Sequence, residues 1–136
     1  MTAVVLETCS EGERLNLEHK LPRRIEKPWG FELLFAHTSK YAGKIIFVRK
    51  GHRLSLQYHE RKDESMYIHV GTIQMEISIG NGHVQSSILR QGDSIRILPL
   101  TRHRVTAIDD TTIFEVSTAE LDDVKRIEDD YGRTIP

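Results

Sequence analysis

From Phe31 onward the chain is written in short runs that fit a pleated strand and little else. FELLFA, GKIIFVR, RLSLQYH, SMYIHVGTIQMEISI, HVQSSILR, SIRILP, HRVTAI and TIFEVS are rich in β-branched and aromatic residues, with Gly, Asn, Asp and Pro between them. Side chains branched at Cβ lose freedom in a helix and pack well on a pleated surface. Repeated short strands joined by tight turns must bury one face each and protect their edges, which points to an antiparallel sandwich or barrel. Asn81-Gly82 reads as a hairpin turn because both residues tolerate positive φ, and Asp109-Asp110 marks a second turn. One segment reads as helix. Ser117 and Glu120 fit a capping box, Leu121, Val124 and Ile127 share a face, and Gly132 could end it.

The 136 residues make one domain. Residues 26–136 carry the strand pattern. Residues 1–25 show no clean period; Leu15, Leu17 and Leu21 either form an arm that packs on the barrel or on a partner, or belong to a partly disordered tail. Nineteen Lys plus Arg face twenty Asp plus Glu, so the chain lacks the basic excess of a nucleic-acid or membrane-surface binder. Its one cysteine, Cys9, allows neither an intrachain disulfide nor a thiolate metal cluster and fits a reducing compartment. Acidic residues from Glu7 onward interrupt any leader-like apolar run, and no window reaches a membrane span of about 18 apolar residues. The expectation is a cytoplasmic protein.

Chemistry concentrates in GHRLSLQYHERKDESMYIHVG, residues 51–71. In a regular strand Arg53, Ser55, Gln57 and His59 share one face, with Leu54, Leu56 and Tyr58 on the other. A polar face of this kind makes sense if it lines a cavity with a charged occupant. Glu64 follows a short charged turn that could return its carboxylate toward His59, and His103 opens a later strand. Two imidazoles, a carboxylate and an amide oxygen suit Zn²⁺, or Mn²⁺, Fe²⁺, Ni²⁺ or Co²⁺ with water completing the shell.

These residues resemble the two motifs of the cupins, all-β proteins built as a jelly-roll barrel (a double-stranded β-helix). Gly51, Gln57, His59, Glu64 and Gly71 match the first motif, with Gln in place of its first His. Gly92 and His103 match the second, whose proline is displaced to Pro99 and whose internal glycine is replaced, Leu100 and Thr101 standing there. With Gln57 in LSLQYH, EKPWG at 26–30 and LDDVKRIEDDYGR at 121–133, the chain further resembles the cupin domain of type II mannose-6-phosphate isomerases.

The resemblance implies one divalent metal, zinc first, held by Gln57, His59, Glu64 and His103. It also implies aldose–ketose isomerisation of a sugar phosphate, of the mannose 6-phosphate to fructose 6-phosphate type. A base must then move a proton between C1 and C2. Glu115 serves if its strand turns it inward, and Lys62 is the other choice, standing where the family carries a basic residue. Arg133 in the YGR tail resembles a catalytic arginine of the family. Arg53 and Ser55, on the cavity-facing parity, are the expected substrate contacts, whereas Arg102 and Arg104 read as surface charges. Ser65-Met66 replaces the His-Trp that usually follows the Glu ligand, which opens the choice of sugar. An iron-dependent oxygenase and a non-catalytic sugar-binding module are the competing functions. The partners expected are a small sugar phosphate and a second copy of the chain, with neither nucleic acid nor membrane; Leu54, Leu56 and Tyr58 either supply the pairing surface or pack under the N-terminal arm.

Overall fold

The structure, a computed structural model, describes residues 21–134 apart from Ile79 and Asn81. Eleven strands follow in chain order: β1 (Arg23–Lys27), β2 (Gly30–His37), β3 (Ala42–Val48), β4 (Leu56–Tyr58), β5 (Glu64–Val70), β6 (Thr72–Ser78), β7 (Val84–Arg90), β8 (Ser94–Ile97), β9 (Arg102–Ala107), β10 (Thr111–Ser117) and β11 (Lys125–Glu128). They form a six-stranded sheet in the order β1-β2-β3-β10-β5-β8 and a five-stranded sheet in the order β11-β4-β9-β6-β7. All strand pairs are antiparallel. The antiparallel two-sheet fold expected from the strand pattern, and the jelly roll that the cupin resemblance implies, is the fold observed.

Alternation explains how the two sheets close on each other. Along β10, Thr111, Ile113 and Glu115 are buried while Phe114 and Val116 are exposed. The inward residues of both sheets meet in one core of Trp29, Ile46, Val48, Met66, Ile68, Ile73, Met75, Ile97, Val105, Ala107 and Ile113. Each fully buried aliphatic side chain there contributes about 1.5–3 kcal/mol. The outer face of the six-stranded sheet is aromatic instead. Phe31 stacks on Phe47 with centroids 5.2 Å apart, and His69 stacks on Phe114 at 4.6 Å. Phe35, Tyr67, Phe114 and Val116 add exposed apolar area to this sheet, while Leu54, Leu56 and Tyr58 are half-buried. Leu54 packs against the core.

Two local expectations change. β6 and β7 do form a hairpin, but their last pair is Ser78↔Val84, so five residues turn the chain where a two-residue turn was expected. Asn81 itself lies outside the described residues, as does the arm up to residue 20. The chain from Arg23 already belongs to the six-stranded sheet. More important, no helix forms over 117–132; Ser117 ends β10, and Lys125–Glu128 pairs with β4 as an edge strand. The helical spacing of Leu121, Val124 and Ile127 is overridden by Asp123, whose carboxylate accepts the backbone N–H groups of Glu60, Arg61 and Lys62. A helix through Asp123 could not hold that turn. Among the described residues no helix is long and apolar enough to cross a membrane.

Backbone strain marks the turn before β9. Leu100 stands at φ 67, where the second motif usually has glycine, and its N–H donates to the His59 carbonyl at 2.6 Å. Gly71, at φ 100, needs its missing Cβ for a second reason: a methyl group would lie 2.5 Å from the Asp110 carbonyl oxygen and from Thr111 Oγ1. Urea denaturation should show Leu100→Gly gaining roughly 0.5–1 kcal/mol of stability and Gly71→Ala losing about 2–4 kcal/mol.

Candidate metal centre and its cavity

Both sheets contribute to one cluster. β5 begins with Glu64, β9 carries His103, and His59 follows β4. The three side chains are buried, and one ligand atom from each lies within 4.8 Å of the others. Nε2 of His103 is 3.3 Å and Nε2 of His59 is 3.5 Å from Glu64 Oε1.

Hydrogen bonding sets the direction of these rings. Nδ1 of His103 faces the Thr101 carbonyl at 2.9 Å, and Nδ1 of His59 faces the Asp123 carbonyl. A carbonyl only accepts, so each Nδ1 carries the proton and each neutral ring turns a lone pair from Nε2 toward Glu64. Neither Nε2 nor Glu64 Oε1 has a hydrogen-bond partner among the described residues, whereas Glu64 Oε2 is met by Lys62 Nζ at 2.9 Å. Buried lone pairs aimed at one another are costly unless a cation takes the place of the missing protons. The site therefore fits a divalent cation bound by two imidazole nitrogens and a carboxylate.

Gln57 pairs in register with His103 and lines the same cavity as His59. Its Oε1 accepts the Ser55 hydroxyl at 2.8 Å, so Ser55 orients the amide. The cavity encloses about 320 Å³ between the sheets, near the lower end of the roughly 300–1,000 Å³ of small-molecule sites. Its lining includes Gln57, His59, Lys62, Glu115 and Arg133. Glu115 and Lys62 are both buried, with Lys62 Nζ between Glu64 Oε2 and Glu115 Oε2, 3.4 Å from the latter. Burial and then the neighbouring Glu64 charge push the Glu115 carboxyl up to about 7, against the pull of Lys62 and Lys44. Burial works against the Lys62 ammonium, yet Glu115 and Glu64 outweigh it and raise its pKa.

Strand parity misplaced two arginines. Arg53 does not line the cavity; its guanidinium is bidentate to Asp130 at 2.7 and 2.8 Å and is 41% exposed. Alternation fails because β4 is only three residues long and Arg53 makes an isolated bridge to Thr106, so Leu54 joins Ser55 in the cavity wall. Arg104 is buried at 4% exposure, not a surface charge. It donates to the carbonyls of Leu54 and Glu128 at 3.1 and 3.2 Å and so fastens β11 to the barrel. Arg133 does reach the cavity, with its guanidinium held by Asp129 at 2.8 and 2.9 Å. Lys27, Lys44 and Arg126 also line it, and no motif singled them out. EKPWG and DDVKRIEDD contain two of them, but only the fold turns them inward.

Comparison with known proteins agrees with this geometry. The family model for the mannose-6-phosphate isomerase C-terminal domain matches residues 14–129. The chain belongs to this family. Over 121 residues it is 32% identical to mannose-1-phosphate guanylyltransferase ManC of Salmonella typhimurium, covering 85% of this chain and 24% of that protein. The Escherichia coli mannose-1-phosphate guanylyltransferase is 30% identical with the same coverage. The chain thus spans about a quarter of the length of the curated relatives it matches. Among solved structures, KdgF from Halomonas sp. superposes with a TM-score of 0.65 at 21% identity, over 74% of this chain and 91% of that one. Oxalate decarboxylase from Bacillus subtilis gives 0.69 at 12% identity, over 82% and 33%. Both likenesses show the cupin fold.

Two measurements check the centre. His103→Ala and Glu64→Gln should each lower divalent-metal affinity at least about a hundredfold in a competition titration with a chromophoric chelator, while the barrel still folds. Asp123→Ala should lower stability by about 1–3 kcal/mol and weaken metal binding through His59. Partial burial works against the Asp123 carboxylate, but the three amides bring it down to about 2. A depressed carboxyl contributes its stability above the unfolded value near 4 and loses it as pH falls toward 2. The stability gap between the metal-free parent and Asp123→Ala should close over that window.

Proposed function

We propose that this cupin interconverts an aldose and a ketose sugar phosphate, of the mannose 6-phosphate and fructose 6-phosphate type, with zinc at its metal centre. The observation that carries this reading is the buried Lys62–Glu115 pair, which lines one small cavity with His59 and meets the cluster of His59, Glu64 and His103 through the contact of Lys62 with Glu64. A carboxylate base and an ammonium donor 3.4 Å apart supply what the reaction needs.

Isomerisation moves two protons and leaves every heavy-atom bond intact. The base takes the proton from C2 of the open-chain aldose as O1 gains one, giving the enediol. O2 then gives up its proton as C1 receives one, giving the ketose. Glu115 is placed to take and return the carbon-bound proton, and Lys62 to serve the oxygens. A bound divalent ion would polarise the carbonyl oxygen and offset charge developing there. Ser55 holds the Gln57 amide for the fourth ligand position, and the low-dielectric wall of Trp29, Ile46, Leu54 and Met66 strengthens each polar contact inside. The family match supports the substrate class, and two imidazoles with a carboxylate support zinc.

A coupled assay following fructose 6-phosphate formation tests the reading. The zinc-loaded protein should turn over, and His59→Ala or a chelator should abolish the activity. Glu115→Gln should reduce kcat by about 10²–10⁴-fold while metal content is retained. Absence of turnover by the fully metal-loaded parent would overturn the assignment. Iron in place of zinc in the purified protein, with oxygen uptake, would favour an oxygenase.

A further inference from the structure

The cavity holds more positive charge than its own carboxylates answer. Lys27 at the end of β1, Lys44 on β3, Arg126 on β11 and Arg133 beyond it all line the same space. Two of these cations are committed. Lys44 Nζ lies 3.4 Å from each oxygen of Glu32, and the Arg133 fork is filled by Asp129. Lys27 has only a loose contact with the same Glu32, at 3.8 Å. Arg126 has neither an ion-pair partner nor a hydrogen bond to its Nε among the described residues, and that Nε is buried. A buried guanidinium N–H without an acceptor is the costly half of an unmade bond.

The crowding shows in their charge states. Burial and then Lys44, Arg126 and Arg133 depress the Lys27 ammonium, and Glu32 offsets this only in part. Burial and then Arg133 depress Arg126, with Asp129 and Glu32 opposing. Cations gathered against desolvation and mutual repulsion, with one planar fork left open, are arranged for a compact anion of more than one negative charge.

We propose that Lys27 and Arg126, backed by Lys44 and Arg133, form the subsite that holds the phosphate dianion of a phosphorylated ligand. Lys27 supplies a point charge and Arg126 the fork, from opposite sheets, so the anion lies between them. The subsite corrects the expectation that Arg53 would contact substrate, because that arginine is occupied by Asp130 on the outside. It deepens the isomerase reading and rests on it only for the sugar; the cationic wall stands on its own geometry.

Calorimetric titration of the metal-loaded protein with inorganic phosphate, with mannose 6-phosphate and with unphosphorylated mannose tests it. Phosphate and mannose 6-phosphate should bind the parent, and Arg126→Gln and Lys27→Gln should each weaken both by about ten- to a hundredfold. Mannose binding and metal content should not change, and Arg126→Lys should retain more phosphate affinity than Arg126→Gln. Should Arg126→Gln melt early, Lys27→Gln on the other sheet decides. Unaltered phosphate affinity in the variants, or no phosphate binding by the parent at millimolar concentration, would overturn the subsite. If the variants lose phosphate while the parent never isomerises mannose 6-phosphate, the subsite stands and the isomerase reading falls. If the parent turns over and the variants keep its KM, the reverse holds.

Discussion

Buried lone pairs that face one another cannot stay unanswered, and much of this molecule is organised around that constraint. Two backbone carbonyls, those of Thr101 and Asp123, fix the tautomer and direction of His103 and His59. Glu64 enters from the opposite sheet to meet them. Removing either carbonyl contact would free a ring to turn its protonated edge toward the carboxylate. The orientation of the site is therefore a property of turns on two loops, not of the ligand residues alone.

Asp123 shows how far that dependence reaches. Its carbonyl directs His59, while its carboxylate caps the three amides that turn the chain between His59 and Glu64. One residue thus sets the spacing of two ligands and anchors the strand that supplies Arg126. Arg104 secures the other end of that strand through the Glu128 carbonyl. These contacts join residues about 60 and 24 positions apart, which is why local periodicity could not reveal them.

Much of the barrel was legible in the sequence because alternation and turn residues act over a few positions. Glu115 illustrates it: Ile113, Glu115 and Ser117 share a parity, and the structure turns Glu115 inward. The His59, Glu64 and His103 cluster was legible because the spacing of both glycine-marked motifs, Gly51 to Gly71 and Gly92 to His103, resembles that of the cupins. What failed depended on tertiary contacts. Leu121, Val124 and Ile127 keep helical spacing, yet Asp123 ties that segment to the turn at Glu60–Lys62 and it continues into β11. Arg53 has the right parity, but its segment is too irregular to preserve it and Asp130 captures the charge. Lys27 and Arg126 sit 99 positions apart in sequence and become neighbours only when the two sheets meet.

The edge strand β11 and the residues around it give the cavity a divided construction. The barrel supplies the cluster of His59, Glu64 and His103, whereas Leu121, Val124, Arg126 and Arg133 from the last segment close one side. Chain that completes a wall without closing the barrel can vary with little penalty to the core. Leu121, Val124, Arg126 and Arg133 can therefore be rewritten to retune what enters while the sheets keep their core, provided Asp123 stays to hold His59 in place.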